Sequence, residues 1–170
     1  DRAGIAYDRT VKVGAMIEVP SAALNAAALS QYVDFFSLGT NDLVQYTMAA
    51  DRGNEAVAYL YQPLNPAILT LVKMTVAAGH AKGIPVAVCG ESASDPVVGL
   101  LWAAFGVDEL SMSATFIPGM AKLLSRLTRA DLDEYAKVPD SVPIGSTAQE
   151  VFNACRTWLV NKLPDLEDVL

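Results

Sequence analysis

Short apolar runs stopped by glycine or proline alternate along this chain with longer stretches in which apolar residues recur every three or four positions. Runs that are apolar on both faces predict buried parallel strands, and the three-to-four spacing predicts helices. Residues 12–19 (KVGAMIEV) read as the first strand, with Glu18 at its C-terminal end and Pro20 as its stop. Ser21 is expected to cap one helix over residues 22–32. The second strand covers 33–38, after which Gly39 opens a polar turn of Thr40, Asn41 and Asp42. A short helix at 43–50 and a loop at 51–65 follow, the loop carrying Arg52, Gly53 and the segment YQPLNP.

Pro66 suits a first helical turn, so 66–82 reads as a helix ended by Gly83. Residues 84–89 (IPVAVC) are the third strand, and Asp95 is placed to cap a helix over 97–105. Residues 109–113 (ELSMS) are a weaker fourth strand, followed by helices at 118–127 and 129–135. After a proline-bearing connector, Thr147 and Glu150 predict a capping box for a helix at 148–162, and the acidic tail beyond Pro164 is expected to be mobile. Four successive βα units demand a parallel sheet. That leaves two α/β architectures, a doubly wound sheet and half of a (β/α)8 barrel; a closed barrel needs about 250 residues.

Composition narrows the setting. At 170 residues with 52% hydrophobic residues, one domain with a sizeable core is affordable. The net charge of -7 and single His argue against a nucleic-acid or anionic membrane surface, and an anionic substrate would depend on local cations. Cys89 and Cys155 are far apart with no CxxC spacing, and no signal peptide is visible, so a reduced, cytosolic compartment is expected. No apolar run reaches the roughly 20 residues that span a bilayer.

In a parallel sheet Glu18, Asn41, Asp42, Cys89 and Ser111 to Ser113 emerge at strand C-termini on one rim, where such folds place their sites. Glu18 and Asp42 offer hard oxygen ligands for Mg2+; their bland alternatives are an ion pair and a helix cap. Arg52 has the fork that clamps a phosphate or carboxylate, or else it pairs with a neighbouring acid on the surface. Cys89 is either an inert small hydrophobe or a proton donor. His80 falls inside a helix with no partner motif and reads as structural, while the Tyr59, Tyr61, Pro63 and Pro66 cluster is a packing corner or an oligomer contact.

MIEVP at 16–20, SLGTNDLVQYTMAADRGN at 37–54, YQPLNPAIL at 61–69 and VCGE at 88–91 together resemble the C-terminal part of enzyme I of the bacterial sugar phosphotransferase system, over about 12–127. The resemblance implies the second half, strands five to eight, of a phosphoenolpyruvate-binding TIM barrel, with a helical extension at 128–170. It implies that Glu18 and Asp42 ligate Mg2+, that Asn41 and Arg52 hold the phosphoryl group, and that Cys89 protonates the enolate as pyruvate forms. The implied partners are phosphoenolpyruvate, a histidine-bearing domain of the same full-length protein, a phosphocarrier protein and a second copy of the chain. His80 is not in the family's acceptor motif, and the turn ESASDP lacks the glycine that the resemblance leads one to expect near Ser94. The substrate-gripping arginines of the first half-barrel are missing too, so this piece alone is expected neither to consume phosphoenolpyruvate nor to phosphorylate a protein. Other readings are a non-catalytic dimerisation module, in which two copies close one barrel, and a relative of pyruvate phosphate dikinase or phosphoenolpyruvate synthase.

Overall fold

The computed structural model describes residues 4–165. Four strands, β1 (Gly14–Ile17), β2 (Phe35–Gly39), β3 (Val86–Cys89) and β4 (Glu109–Ser111), form one parallel sheet in the order β1-β2-β3-β4. Alternation along each strand divides the sheet into two unlike faces. Ile17, Phe36, Leu38, Val86 and Val88 are fully buried, and by register they share one face with Ala15 and Leu110. The opposite face carries Gly14, Met16, Phe35, Ser37, Ala87, Cys89, Glu109 and Ser111; Met16 and Glu109 are exposed, and nothing among the described residues covers it. A strand order that never reverses, with one face covered, is consistent with part of a (β/α)8 barrel; a doubly wound sheet reverses its order.

Helices fill the covered side. They are α1 (Pro20–Leu24), α2 (Ala26–Leu29), α3 (Thr40–Met48), α4 (Pro66–Lys82), α5 (Pro96–Ala104) and α6 (Ile117–Ser125). The expected single helix after β1 is broken at Asn25, whose side-chain amide donates to the Ser21 carbonyl at 3.1 Å. An Asn that offers its own hydrogen bond competes with the helical ladder. Ser21 does not cap either: Pro20, which has no N–H to lose, takes the first helical position and pushes the cap to Val19. Helix α3 starts three residues earlier than the apolar pattern suggests, so Thr40, Asn41 and Asp42 form its first turn. The loop at 51–65 contains a 3₁₀ turn at Glu55–Leu60, and a second such turn, Glu91–Ser94, follows β3.

Several expected devices are present. Asp95 accepts from the Val97 and Val98 N–H groups at 2.9 and 3.0 Å, and Gly83 ends α4 in the left-handed region at φ 75°. His80 bonds Asp108 at 2.9 Å, and Asp108 also accepts from the Val86 N–H at 2.8 Å. The histidine thus staples the end of α4 to the N-terminal ends of β3 and β4, away from the rim. Beyond α6, α7 (Arg129–Tyr135), the short α8 (Val138–Ser141) and α9 (Ala148–Lys162) form an outer layer. Tyr135, fully buried, donates its hydroxyl to the Val97 carbonyl at 2.9 Å and stacks 5.1 Å from Trp158, binding this layer to α5. Thr147 and Glu150 form the anticipated capping box of α9. Most of the acidic tail, from 166 on, lies outside the described residues.

Candidate functional site

Gly39, Cys89 and Ser111 stand side by side in register at the C-terminal ends of β2, β3 and β4. Glu18, one residue past β1, completes this row: a Cβ on Gly39 would lie 3.0 Å from the Glu18 Cβ and 3.2 Å from its Oε2. Glycine here is what lets the Glu18 side chain fold across the strand end. The Glu18 side chain has no hydrogen bond or ion pair among the described residues, so the bland ion-pair role is not what the fold gives it. Immediately beyond Gly39, the first turn of α3 presents Asn41 and Asp42.

Asp42 Oδ1 lies 3.9 Å from Arg52 Nη2, with both side chains partly exposed. At that separation the two are attracted without sharing a hydrogen bond. The Arg52 backbone N–H donates to Gln45 Oε1 at 3.2 Å, and Asp51 accepts from the Gly53 N–H at 2.8 Å, so Arg52 is drawn toward the rim and not into a pair with its neighbour Asp51. The Asn41 Oδ1 accepts from the Tyr61 hydroxyl at 2.8 Å and from the Glu91 backbone N–H at 3.4 Å. Burial holds the Tyr61 phenol above its ordinary range; the charges of Glu91 and Asp42 push the same way and Arg52 opposes them.

The Cys89 thiol sits on the open face, half-buried, accepting a hydrogen bond from Ser37 Oγ at 3.2 Å and directed toward Met16 Sδ at 3.5 Å. After it the chain turns through Gly90 at φ 140° and ψ 164°, a conformation essentially restricted to glycine. A Cβ there would fall 2.3 Å from Thr40 Oγ1. Behind this contact lies a buried polar relay: Thr40 Oγ1 bonds Ser92 Oγ at 2.8 Å, and Trp102 Nε1 donates to the same Ser92 oxygen at 3.1 Å. The relay locks the loop after β3 to the first turn of α3, which fixes Asn41 relative to Cys89. A concavity of about 700 Å³ opens at this end of the sheet, bordered by Asn41, Gly90, Glu91, Ser94, Ser111 and Phe116.

The expected residues therefore divide into two groups. Asn41, Asp42 and Arg52 are gathered into one cluster, joined by Tyr61 and the Glu91 backbone; Glu18 and Cys89 flank it on either side of Gly39. Ser37 and Glu91 have no role in the sequence reading, and Tyr61 enters it only as part of a packing corner or oligomer contact, although the strand alternation does put Ser37 on the same face as Gly39. Among the described residues no three His, Cys, Asp or Glu side chains form a metal cluster. Two carboxylates at adjacent strand ends suit a cation that keeps much of its water, as Mg2+ does.

Comparison with known proteins gives this rim a family. Residues 1–129 match the family described as PEP-utilising enzyme, PEP-binding domain. The chain belongs to that family. Its relatives within the PEP-utilising family include phosphoenolpyruvate-protein phosphotransferases: that of Geobacillus stearothermophilus is 49% identical over 150 residues, covering 88% of this chain and 25% of the relative. That of Streptococcus equinus is 46% identical over 156 residues, 92% of this chain and 27% of the relative. The Haemophilus influenzae protein is 48% identical over 157 residues, with 92% and 27% covered. The chain spans about a quarter of the length of the curated relatives it matches. No helix among the described residues is long and apolar enough to cross a membrane.

Proposed function

We propose that this chain is the second half of a phosphoenolpyruvate-binding (β/α)8 barrel and supplies part of the site of a phosphotransferase. In this reading the phosphoryl group of phosphoenolpyruvate passes to a protein histidine and pyruvate is released, in a cytoplasmic sugar-uptake system. The observation that carries it is the convergence of Glu18, Asn41, Asp42, Arg52 and Cys89 on one rim of the parallel sheet. Phosphoryl transfer asks a protein for positioning and charge neutralisation more than for covalent chemistry, and these side chains offer both.

Glu18 and Asp42 are the oxygen ligands for a Mg2+ ion, which when bound would neutralise charge on the carboxylate and phosphate of the substrate. Asn41 donates through its amide to a phosphoryl oxygen, and Arg52, only loosely paired at 3.9 Å, is available to grip a second one. The acceptor histidine nitrogen attacks phosphorus as the bond to the enol oxygen breaks, leaving the enolate of pyruvate. Cys89 then gives its S–H proton to the methylene carbon, completing pyruvate, and the thiolate regains a proton from solvent. The histidine belongs to another domain of the intact protein, from which the phosphoryl group passes to a phosphocarrier protein, and the intact protein works as a homodimer.

The open sheet face supports a second element of the reading, that the chain does not turn over alone, and it also favours the rival view of a pure assembly module. Thermal unfolding separates the two. Phosphoenolpyruvate with Mg2+ should raise the melting midpoint, phosphoenolpyruvate without Mg2+ should do so far less, and Asp42→Asn should abolish the difference. No shift under any condition would leave only the assembly role.

A further inference from the structure

Asn41 has two chemically opposite ends, a carbonyl oxygen that accepts and an amino group that donates, and a half-turn about the last side-chain bond exchanges them. An anionic phosphoryl group is stabilised by one of these arrangements and repelled by the other. The fold decides between them from behind: Oδ1 faces the Tyr61 hydroxyl at 2.8 Å and the Glu91 N–H at 3.4 Å. The Glu91 N–H can only donate, so it excludes the amino end from that side, and the Tyr61 hydroxyl, which can donate or accept, then donates to the same oxygen and anchors it. The Asn41 Nδ2, which bonds nothing among the described residues, is turned the other way. Of the two donors the tyrosine is the stronger, since 3.4 Å is a weak hydrogen bond.

We propose that Tyr61 is a positioning residue that fixes the Asn41 amide with its N–H groups toward the phosphoryl group. The assignment rests on the substrate role given above to Asn41. Tyr61 is separated from Asn41 by twenty positions, and it is held in place by its own half-burial and by the chain leading into α4. Without the hydroxyl, the Glu91 N–H alone selects the amide orientation, and the wrong one presents a carbonyl oxygen to the transferring group just as its charge builds.

The test is a double-variant cycle in the full-length protein that carries this segment, following pyruvate release from phosphoenolpyruvate. Tyr61→Phe should lower kcat by about threefold to tenfold while KM for phosphoenolpyruvate stays within about twofold, because orientation matters most where charge develops. Asn41→Ala should lower kcat further, and adding Tyr61→Phe to it should change nothing more, since the tyrosine acts only through the amide. Tyr61→Met, which also lacks the hydroxyl, repeats the readout should the Phe variant unfold; melting midpoints identify that case. A Tyr61→Phe loss that persists undiminished in the Asn41→Ala background, or a Tyr61→Phe enzyme with unchanged kcat, would overturn the positioning role and leave the role of Asn41 standing. An Asn41→Ala protein at the parent rate would instead remove the substrate contact itself, and the proposal with it.

Discussion

Gly90→Ala puts the greatest strain on the site's architecture for the smallest chemical change. Its effect has two sources. The backbone at φ 140°, ψ 164° is a region that a residue with a Cβ adopts at a cost of about 1–3 kcal/mol. The new methyl would also lie 2.3 Å from Thr40 Oγ1, well inside any separation that folded proteins tolerate. Thr40 can escape only by rotating its side chain, which breaks its 2.8 Å bond to Ser92 and strands a hydroxyl that is fully buried. An unsatisfied buried hydroxyl costs about 1–3 kcal/mol. Together these give about 2–6 kcal/mol, and for a chain of this size that is a fall of roughly 5–20 °C in melting midpoint. Circular dichroism melts of the purified chain measure it. Gly119→Ala is the control, because a Cβ at that helical position meets nothing within 4 Å and should leave the midpoint unchanged or slightly raised. If Gly90→Ala melts within about 2 °C of the parent, the argument that this loop is locked through Thr40 and Ser92 is wrong.

Two further outcomes follow from the cysteines and from the outer helical layer. Cys155 is fully buried and burial pushes its thiol up to about 11, whereas Cys89 is half-exposed, so iodoacetamide on the native chain should modify Cys89 and spare Cys155 until denaturant is added. Peptide mass mapping reads this directly, and label on Cys155 in the folded chain would contradict the packing of α9 against α7. Asp131 is held at about 2, below the ordinary 3.8 of an aspartate, first by its hydrogen bond to Lys162 and then by those from Thr128. A carboxyl lowered on folding stabilises the native state above the unfolded value and loses that contribution as pH falls through the folded one. Asp131→Asn should therefore melt below the parent at neutral pH, with the gap closing between about pH 4 and pH 2; a gap independent of pH would refute the linkage.

What the sequence made legible here was local. The strands announce themselves as apolar runs stopped by glycine, and the Asp95 and Thr147 caps need only a few consecutive residues to be read. The break at Asn25 was missed because an Ala- and Leu-rich stretch suggests continuity, and one side-chain amide bonding back to Ser21 is enough to interrupt it. The start of α3 was misplaced because Thr40, Asn41 and Asp42 look like a turn by composition, yet acidic and polar groups are also what the first turn of a helix accommodates. Tyr61 reads from sequence only as part of a packing corner or oligomer contact, and its bond to Asn41 is hidden for a different reason. Its partner lies twenty positions away across a loop, and only the folded chain brings the hydroxyl to the Asn41 oxygen.

The same distinction explains how the rim is built. Two glycines do the placing, by what they leave out: the missing Cβ of Gly39 admits the Glu18 side chain, and the missing Cβ of Gly90 admits Thr40 and its bond to Ser92. Groups from three strand ends can approach one another only where the backbone between them carries nothing. The same row continues onto the open face, where Ser37, Cys89 and Met16 touch through oxygen and sulfur without any cover among the described residues. Covering that face, as the proposed barrel does, removes water from Cys89 and from the substrate side of Glu18 in one step. An enolate intermediate needs that exclusion, because bulk water would compete with the thiol for the carbon. In the proposed reading, closure of the sheet and control of the proton would thus be one structural event, a physical reason for dividing the ligands of one site between two halves of a barrel.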